Sequence, residues 1–164
     1  MRRRGSTLLE AALFLPMLIS LLLGMVELAR VSYTYFTLQK ILYALGRYAS
    51  SQPGVNFCDS SDATIVAAKN YALTGSSDGS GQPLLPNLNA DQIQVRVERV
   101  SSDTGEIGEC ECSITGCDVA AGGLSPDFIV VSIPDGYSIR LNIPLLLGDP
   151  FQLRPTIRIP VGRS

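Results

Sequence analysis

Arg2-Arg3-Arg4-Gly5-Ser6-Thr7-Leu8-Leu9-Glu10, followed by Ala11 to Val26 without a charge, is the stretch that decides the architecture. The uncharged run has sixteen residues, and a helix rising about 1.5 Å per residue carries it over about 24 Å. With Leu8 and Leu9 it crosses most of a bilayer, whose hydrocarbon is about 30 Å thick. The membrane-spanning part is therefore placed at about residues 8–26. Glu10 stands at the edge of that segment, where a carboxylate is costly and marks a functional position with a partner still to be found.

Three arginines precede the apolar run and none follows until Arg30. The positive-inside rule then keeps the N-terminus cytoplasmic and exports the C-terminal bulk. A removable signal peptide needs a small-residue cleavage site after its apolar region. Here Glu27 and Arg30 occupy that place, and no cysteine follows the run for lipid attachment. The helix is expected to be retained in an inner, cytoplasmic membrane as a single pass, with the head periplasmic or extracellular. A plain single-span anchor accounts for the apolar run alone; the Gly5 junction and Glu10 ask for more.

A short basic leader, Gly5, the small Ser6, and a glutamate five residues past the glycine inside an apolar helix resemble the leader of type IV pilins and pseudopilins. Leu9-Glu10-Ala11 to Pro16, Leu23-Gly24-Met25-Val26-Glu27-Leu28-Ala29-Arg30, Leu38-Gln39 and Gly46-Arg47-Tyr48-Ala49 are similar to the TadE-like minor pilins of tight-adherence (type IVb, Flp) pilus systems. The resemblance covers about the first fifty residues. It implies cleavage between Gly5 and Ser6 by a membrane-embedded prepilin peptidase, so that residues 1–5 are a leader. It also implies other pilin or pseudopilin subunits and an inner-membrane assembly platform as partners, beside membrane lipid, and a part in pilus biogenesis, adhesion or associated secretion.

Cleavage at Gly5 creates an ammonium on Ser6 one helical turn from Glu10. In the bilayer Glu10 lies near the cytoplasmic interface and reaches water. Inside a protein filament it loses that solvation, at several kcal/mol unless a partner compensates. The Ser6 ammonium of a neighbouring subunit is the obvious partner, and such a pair selects axial register more than it adds stability.

Within the span, Ala12, Pro16, Ser20 and Gly24 recur every fourth residue as a stripe of small or narrow side chains. Such stripes let membrane helices approach closely. Pro16 lacks an N–H and predicts a kink or local melting. Beyond the membrane, Leu28, Val31, Tyr35, Leu38, Leu42, Leu45 and Ala49 alternate in threes and fours, an apolar seam with Arg30, Thr34, Thr37 and Arg47 off it. The seam is expected to pack on the chain's own C-terminal sheet. The whole helix, residues 6–50 after the leader, ends before Pro53-Gly54. Tyr33, Tyr35, Tyr43 and Tyr48 belong to the outer boundary of the membrane or to the head; their spacing does not choose.

Residues 51–164 form the exported part, large enough for one small domain with the distal helix completing its core. Asp62 is positioned to cap a helix over residues 63–73, with Gly75 as its C-terminal stop. Residues 75–81 are a Gly/Ser stretch of the kind expected to be mobile. Ile93, Val95 and Val97 alternate with Gln94, Arg96 and Glu98 as a half-buried strand. Residues 128–133 read as a second strand, residues 137–143 as its continuation or hairpin partner across Pro134-Asp135-Gly136, and residues 155–161 as the last strand. The fold class is α+β, a long N-terminal transmembrane helix running into a small head with an antiparallel sheet.

Cys58, Cys110, Cys112 and Cys117 all fall on the exported side, where disulfides persist. A Cys110–Cys112 bond across one residue is strained. One bond should tie Cys58 to the 110–117 segment and another should close that segment, which leaves Cys58–Cys110 with Cys112–Cys117 or Cys58–Cys112 with Cys110–Cys117. A four-thiolate metal site fits poorly, because C-x-C-x4-C matches no common zinc spacing and the chain has no histidine. The same lack removes the commonest general base, and neither a phosphate-binding glycine loop nor a nucleophile elbow is present. No enzymatic activity, cofactor or metal is expected. Asp59, Asp62 and Asp78 lie in clusters that read as solvated turns before they read as calcium ligands. Without its leader the chain carries ten basic and fifteen acidic side chains, which does not support nucleic-acid binding.

Two functions remain. One is a minor pilin or pseudopilin that is held in the membrane and recruited into a filament. The other is a single-span binding module whose disulfide-bonded head acts without entering one.

Overall fold

The computed structural model describes residues 3–141 and 150–162, with side chains from residue 10 onward. Helix α1 spans Arg3–Ser51 and is continuous through Pro16, so no local melting occurs there. It begins among the N-terminal arginines and ends two residues before Pro53, close to where the sequence stops it.

Helix α2, Ala63–Thr74, is set at both ends by local chemistry. The Asp62 carboxylate accepts the Thr64 N–H at 2.8 Å and the Ile65 N–H at 3.4 Å, worth about 1 kcal/mol for such a cap. Gly75 follows in the left-handed region at φ 80°, and its N–H donates to Tyr71 O. The Gly/Ser stretch beyond it is a hydrogen-bonded return: Leu84 N–H donates to Leu73 O at 2.8 Å, and Asn70 Nδ2 donates to Ser77 O.

A 3-10 turn, Ala90–Gln92, leads into strand β1, Gln94–Val100. Then follow β2, Ile107–Glu109; β3, Phe128–Ser132; β4, Tyr137–Ile139; β5, Phe151–Leu153; and β6, Thr156–Pro160. The main sheet is antiparallel in the order β2-β1-β3-β6, and β4 pairs with β5 in a separate ribbon. Rows of the sheet align Val97, Ile129 and Ile159, and Val95, Val131 and Ile157, on one face. α1 lies across β3 and β6. Leu38, Ile41, Leu42 and Leu45 are fully buried there, each worth roughly 2 kcal/mol by area removed from water. The head is thus α+β, with an antiparallel sheet laid against the distal half of a long helix.

The hairpin expected between residues 128–133 and 137–143 does not form. The turn does, with Gly136 at φ 78° and its N–H bonded to Ile133 O at 3.1 Å. Both edges of β3 are already occupied by β1 and β6, so β4 must pair elsewhere. Residues 142 and 143 of the expected strand lie outside the described residues. β2 and β5 are three-residue strands without a readable alternation, and the sequence reading missed both.

On the other face of the sheet Val130 stands between Arg96 and Arg158 in register, and is nonetheless buried. Long arginine stems cover apolar surface while their heads stay in water. Ion pairs steady both: Arg158 Nε to Glu98 at 2.6 Å and Arg96 to Glu109 at 3.8 Å.

Gly46 lets the helix approach the sheet. A Cβ there would collide with Ile159 Cδ1 and stand 3.3 Å from its Cγ1. Alanine is close to neutral at this site, because the gain in helix propensity, roughly 0.5–1 kcal/mol, offsets a small shift of Ile159. Gly46→Leu is expected to destabilise the head by about 2 kcal/mol or more, read as a lower thermal midpoint of the full chain in detergent.

Candidate functional site

From Glu10 to Leu23 every side chain of α1 is exposed; nothing in the head covers them. The helix is long and apolar enough to cross a membrane. Leu13, Phe14, Met17, Leu18, Leu21 and Leu22 turn more than half of their surface outward, a patch far larger than a water-soluble monomer exposes. This half of α1 is built for contact with lipid or with other chains, as a single-pass anchor requires.

Glu10 lies on that bare half and makes no ion pair among the described residues. Gly5 and Ser6 fall within the same helix, so about 6 Å of rise separates Ser6 from Glu10. Ala12, Pro16 and Ser20 are exposed, and open space stands where a Gly24 Cβ would be. Ser20 Oγ donates to Met17 O at 2.9 Å, which satisfies its hydroxyl inside the helix. The stripe of small residues therefore has no partner among the described residues.

The helix becomes a packing element at Glu27. The seam differs from the expected one in its first two turns. Leu28 and Tyr35 face outward at 68% and 37% exposure, while Glu27 and Thr34 are buried with Val31 between them. Residues 27, 31, 34, 38, 41, 42, 45 and 49 carry the contact, so Val31, Leu38, Leu42, Leu45 and Ala49 of the expected seam hold. Apolarity alone pointed to Leu28 and Tyr35, one residue further on, because the true seam opens with two polar residues. Thr34 is accommodated by donating its hydroxyl to Arg30 O at 2.9 Å. Glu27 keeps an ion pair with Arg30 at 3.7 Å, its side chain only 12% exposed. Its burial was not foreseen; the four-three spacing from Leu38 back through Thr34 and Val31 was the available signal.

Among the tyrosines, Tyr48 stacks on Tyr71 at 5.3 Å between ring centroids and belongs to the head, whereas Tyr33 and Tyr43 are exposed. Tyr137 donates its hydroxyl to Pro86 O at 2.8 Å. Burial raises its pKa, against an opposing pull from the Arg30 charge.

The cysteines form Cys58–Cys112 and Cys110–Cys117, with Cα separations of 5.5 and 5.8 Å. The first ties the loop after α1 to the segment after β2; the second closes that segment on itself. Among the described residues no group of acidic or sulfur side chains is arranged to hold a metal. Asp59 accepts from Ser61, and Asp62 caps α2. Asp78 is held at about 2 by its bonds from Ser76 and Ser80. These carboxylates are committed to their own turns. Because its folded pKa is lowered, what Asp78 contributes to its turn is full above 3.8 and is lost progressively as pH falls from there toward 2.

Residues 5–47 match the family model described as TadE-like protein. The match takes in the Gly5 junction, the whole apolar run and most of the packed half of α1, so this segment of the chain is similar to the TadE-like family. No curated protein and no solved structure matches the chain.

Removing the two disulfides separately should give unequal losses. The bonds close loops with sequence separations of 54 and 7 residues, a difference of roughly 2 kcal/mol in loop entropy. Cys58→Ser with Cys112→Ser is expected to lower the denaturation midpoint clearly more than Cys110→Ser with Cys117→Ser.

Proposed function

We propose that this chain is a minor pilin or pseudopilin of a tight-adherence pilus, anchored in the inner membrane with its head on the periplasmic side until it is drawn into a filament or its base. The match of residues 5–47 to the TadE-like family carries this reading. The bare half of α1 supports it, since a subunit that moves from lipid into a helical bundle needs an apolar surface its own head leaves free.

In this reading residues 1–5 are the leader and prepilin peptidase cuts between Gly5 and Ser6. The new ammonium on Ser6 pairs with Glu10 of a neighbouring subunit once the helix leaves the lipid. Ala12, Pro16, Ser20 and Gly24 form the narrow face along which neighbouring helices approach. Above the membrane, Tyr33, Phe36, Lys40 and Tyr43 with Ile157 line a shallow groove that a neighbouring subunit would cover. The size of the head favours a minor or tip-proximal place. The assembly platform is the partner that moves the subunit.

Mass spectrometry of the mature N-terminus tests the processing. A chain that starts at Ser6 supports the reading. A chain that still starts at Met1 in cells with an active prepilin peptidase overturns it, and leaves a tethered ectodomain as the function. Glu10→Leu should be cut and inserted normally yet fail to enter sheared pilus fractions or subunit complexes; normal assembly of that variant would remove Glu10 from the mechanism.

A further inference from the structure

β6 closes the main sheet and is paired on one side only. Two bonds fix the phase of its ladder. Val161 N–H donates to Asp127 O at 2.9 Å, and Ile133 N–H donates to Pro155 O at 3.4 Å. In an antiparallel pair, bonded residues alternate with non-bonded ones. Ile157 and Ile159 therefore turn their backbone groups toward Val131 and Ile129. Thr156 and Arg158 turn theirs, N–H and C=O alike, to the open side, and Pro160 adds a C=O. Among the described residues nothing bonds to these groups there.

The groove on α1 lies along the same edge. Tyr33, Phe36, Lys40 and Tyr43 line it from the helix and Ile157 from β6. Phe36 is 64% exposed and Tyr43 52%. α2 occupies the β1 side of the sheet, where Ile65 and Lys69 meet Ile93 and Val95; on the β6 side no described element covers the aromatics. Lys40 is exposed and makes no ion pair among the described residues. The Arg158 side chain is drawn across to Glu98 and leaves the edge clear. A strand set beside β6 would stand about 4.8 Å from it. Its alternate side chains would fall on the face of Ile157 and Ile159, into the groove. Open strand edges pair with extended chains, so one ligand satisfies both the bare backbone and the bare aromatics.

We infer that a different subunit donates an extended segment that joins the four-stranded sheet as a fifth strand beside β6. Alternate residues of that segment are apolar and cover Phe36 and Tyr43, and a carboxylate among them pairs with Lys40. The inference rests on the reading that another subunit covers this groove, and not on cleavage at Gly5 or on Glu10. A second copy of this chain does not fit. β6 runs alongside α1 in the same direction, with Ile157 by Lys40 and Tyr43, Ile159 at Gly46, and Val161 by Ser50 and Ser51. Two β6 edges paired antiparallel would send the two apolar spans in opposite directions from the joined heads. Paired parallel about a two-fold axis, they would set N–H against N–H. β2, the other open edge, would bring only Gly108 to the groove, since Ile107 and Glu109 share the opposite face with Val100 and Glu98.

Photocrosslinking of the full-length chain in its own cells tests this, with Phe36 or Tyr43 replaced by p-benzoylphenylalanine and the adducts mapped by mass spectrometry. Crosslinks from the two positions should fall on one segment of a different polypeptide, an even number of residues apart. Thr156→Pro removes an outward N–H and leaves the ladder to β3 whole; it should cut the crosslink yield severalfold, while Thr156→Ala keeps it. Arg158→Pro against Arg158→Ala repeats the comparison one step along the edge. Hydrogen exchange of the unaltered chain in detergent checks the edge without any variant. There the amides of Thr156 and Arg158 should exchange much faster than those of Ile157 and Ile159, and slow exchange at both overturns the proposal. Crosslinks to another subunit that keep full yield in both proline variants overturn the added strand and leave the covered groove. Crosslinks only to lipid or to a second copy of this chain, or none at all, overturn both. A chain still starting at Met1 with proline-sensitive crosslinks would keep the strand and end the filament reading.

Discussion

One helix in two surroundings is the constraint on which the molecule depends. α1 has 49 residues, and only its distal half is covered by the rest of the chain. The burial of Leu38, Ile41, Leu42 and Leu45, with Ile159 and Val131 close against the helix at Gly46, holds the head on that half. From Glu10 to Leu23 the helix has no cover among the described residues, and its apolar surface is left for lipid or another protein. The core organises the head and at the same time fixes the direction in which the bare half projects.

The junction at Glu27 is where the two surroundings meet. A carboxylate and a threonine open a seam that is otherwise leucine and isoleucine. Both polar groups find their partners within α1 itself, Thr34 by donating to Arg30 O and Glu27 by its 3.7 Å ion pair with Arg30, while Glu27 Oε2 accepts no hydrogen bond among the described residues.

The disulfides do for the membrane-distal end what Gly46 does for the middle. Residues 110–117 lie between β2 and β3 with little regular structure, and Cys117 is the one member of that loop buried in the core. Cys58–Cys112 ties this loop to the end of α1, so the loop, the helix end and α2 form one body. All four cysteines are paired, so crosslinking is their role in this structure.

The sequence by itself determined those features that depend on neighbours along the chain. The span follows from an uninterrupted apolar run, the limits of α2 from Asp62 and Gly75, and β1 and β6 from simple alternation. Glu10 stood out because a charge beside such a run has few explanations. Only the tertiary structure decided the rest. It rotated the head-facing seam onto Glu27 and Thr34, because burial there is set by the head's descent and not by side-chain apolarity. It sent β4 to β5, because both edges of β3 were taken by strands distant in sequence. It chose Cys58–Cys112 over Cys58–Cys110, because two cysteines one residue apart are indistinguishable by spacing and separable only by which way each points in the folded loop.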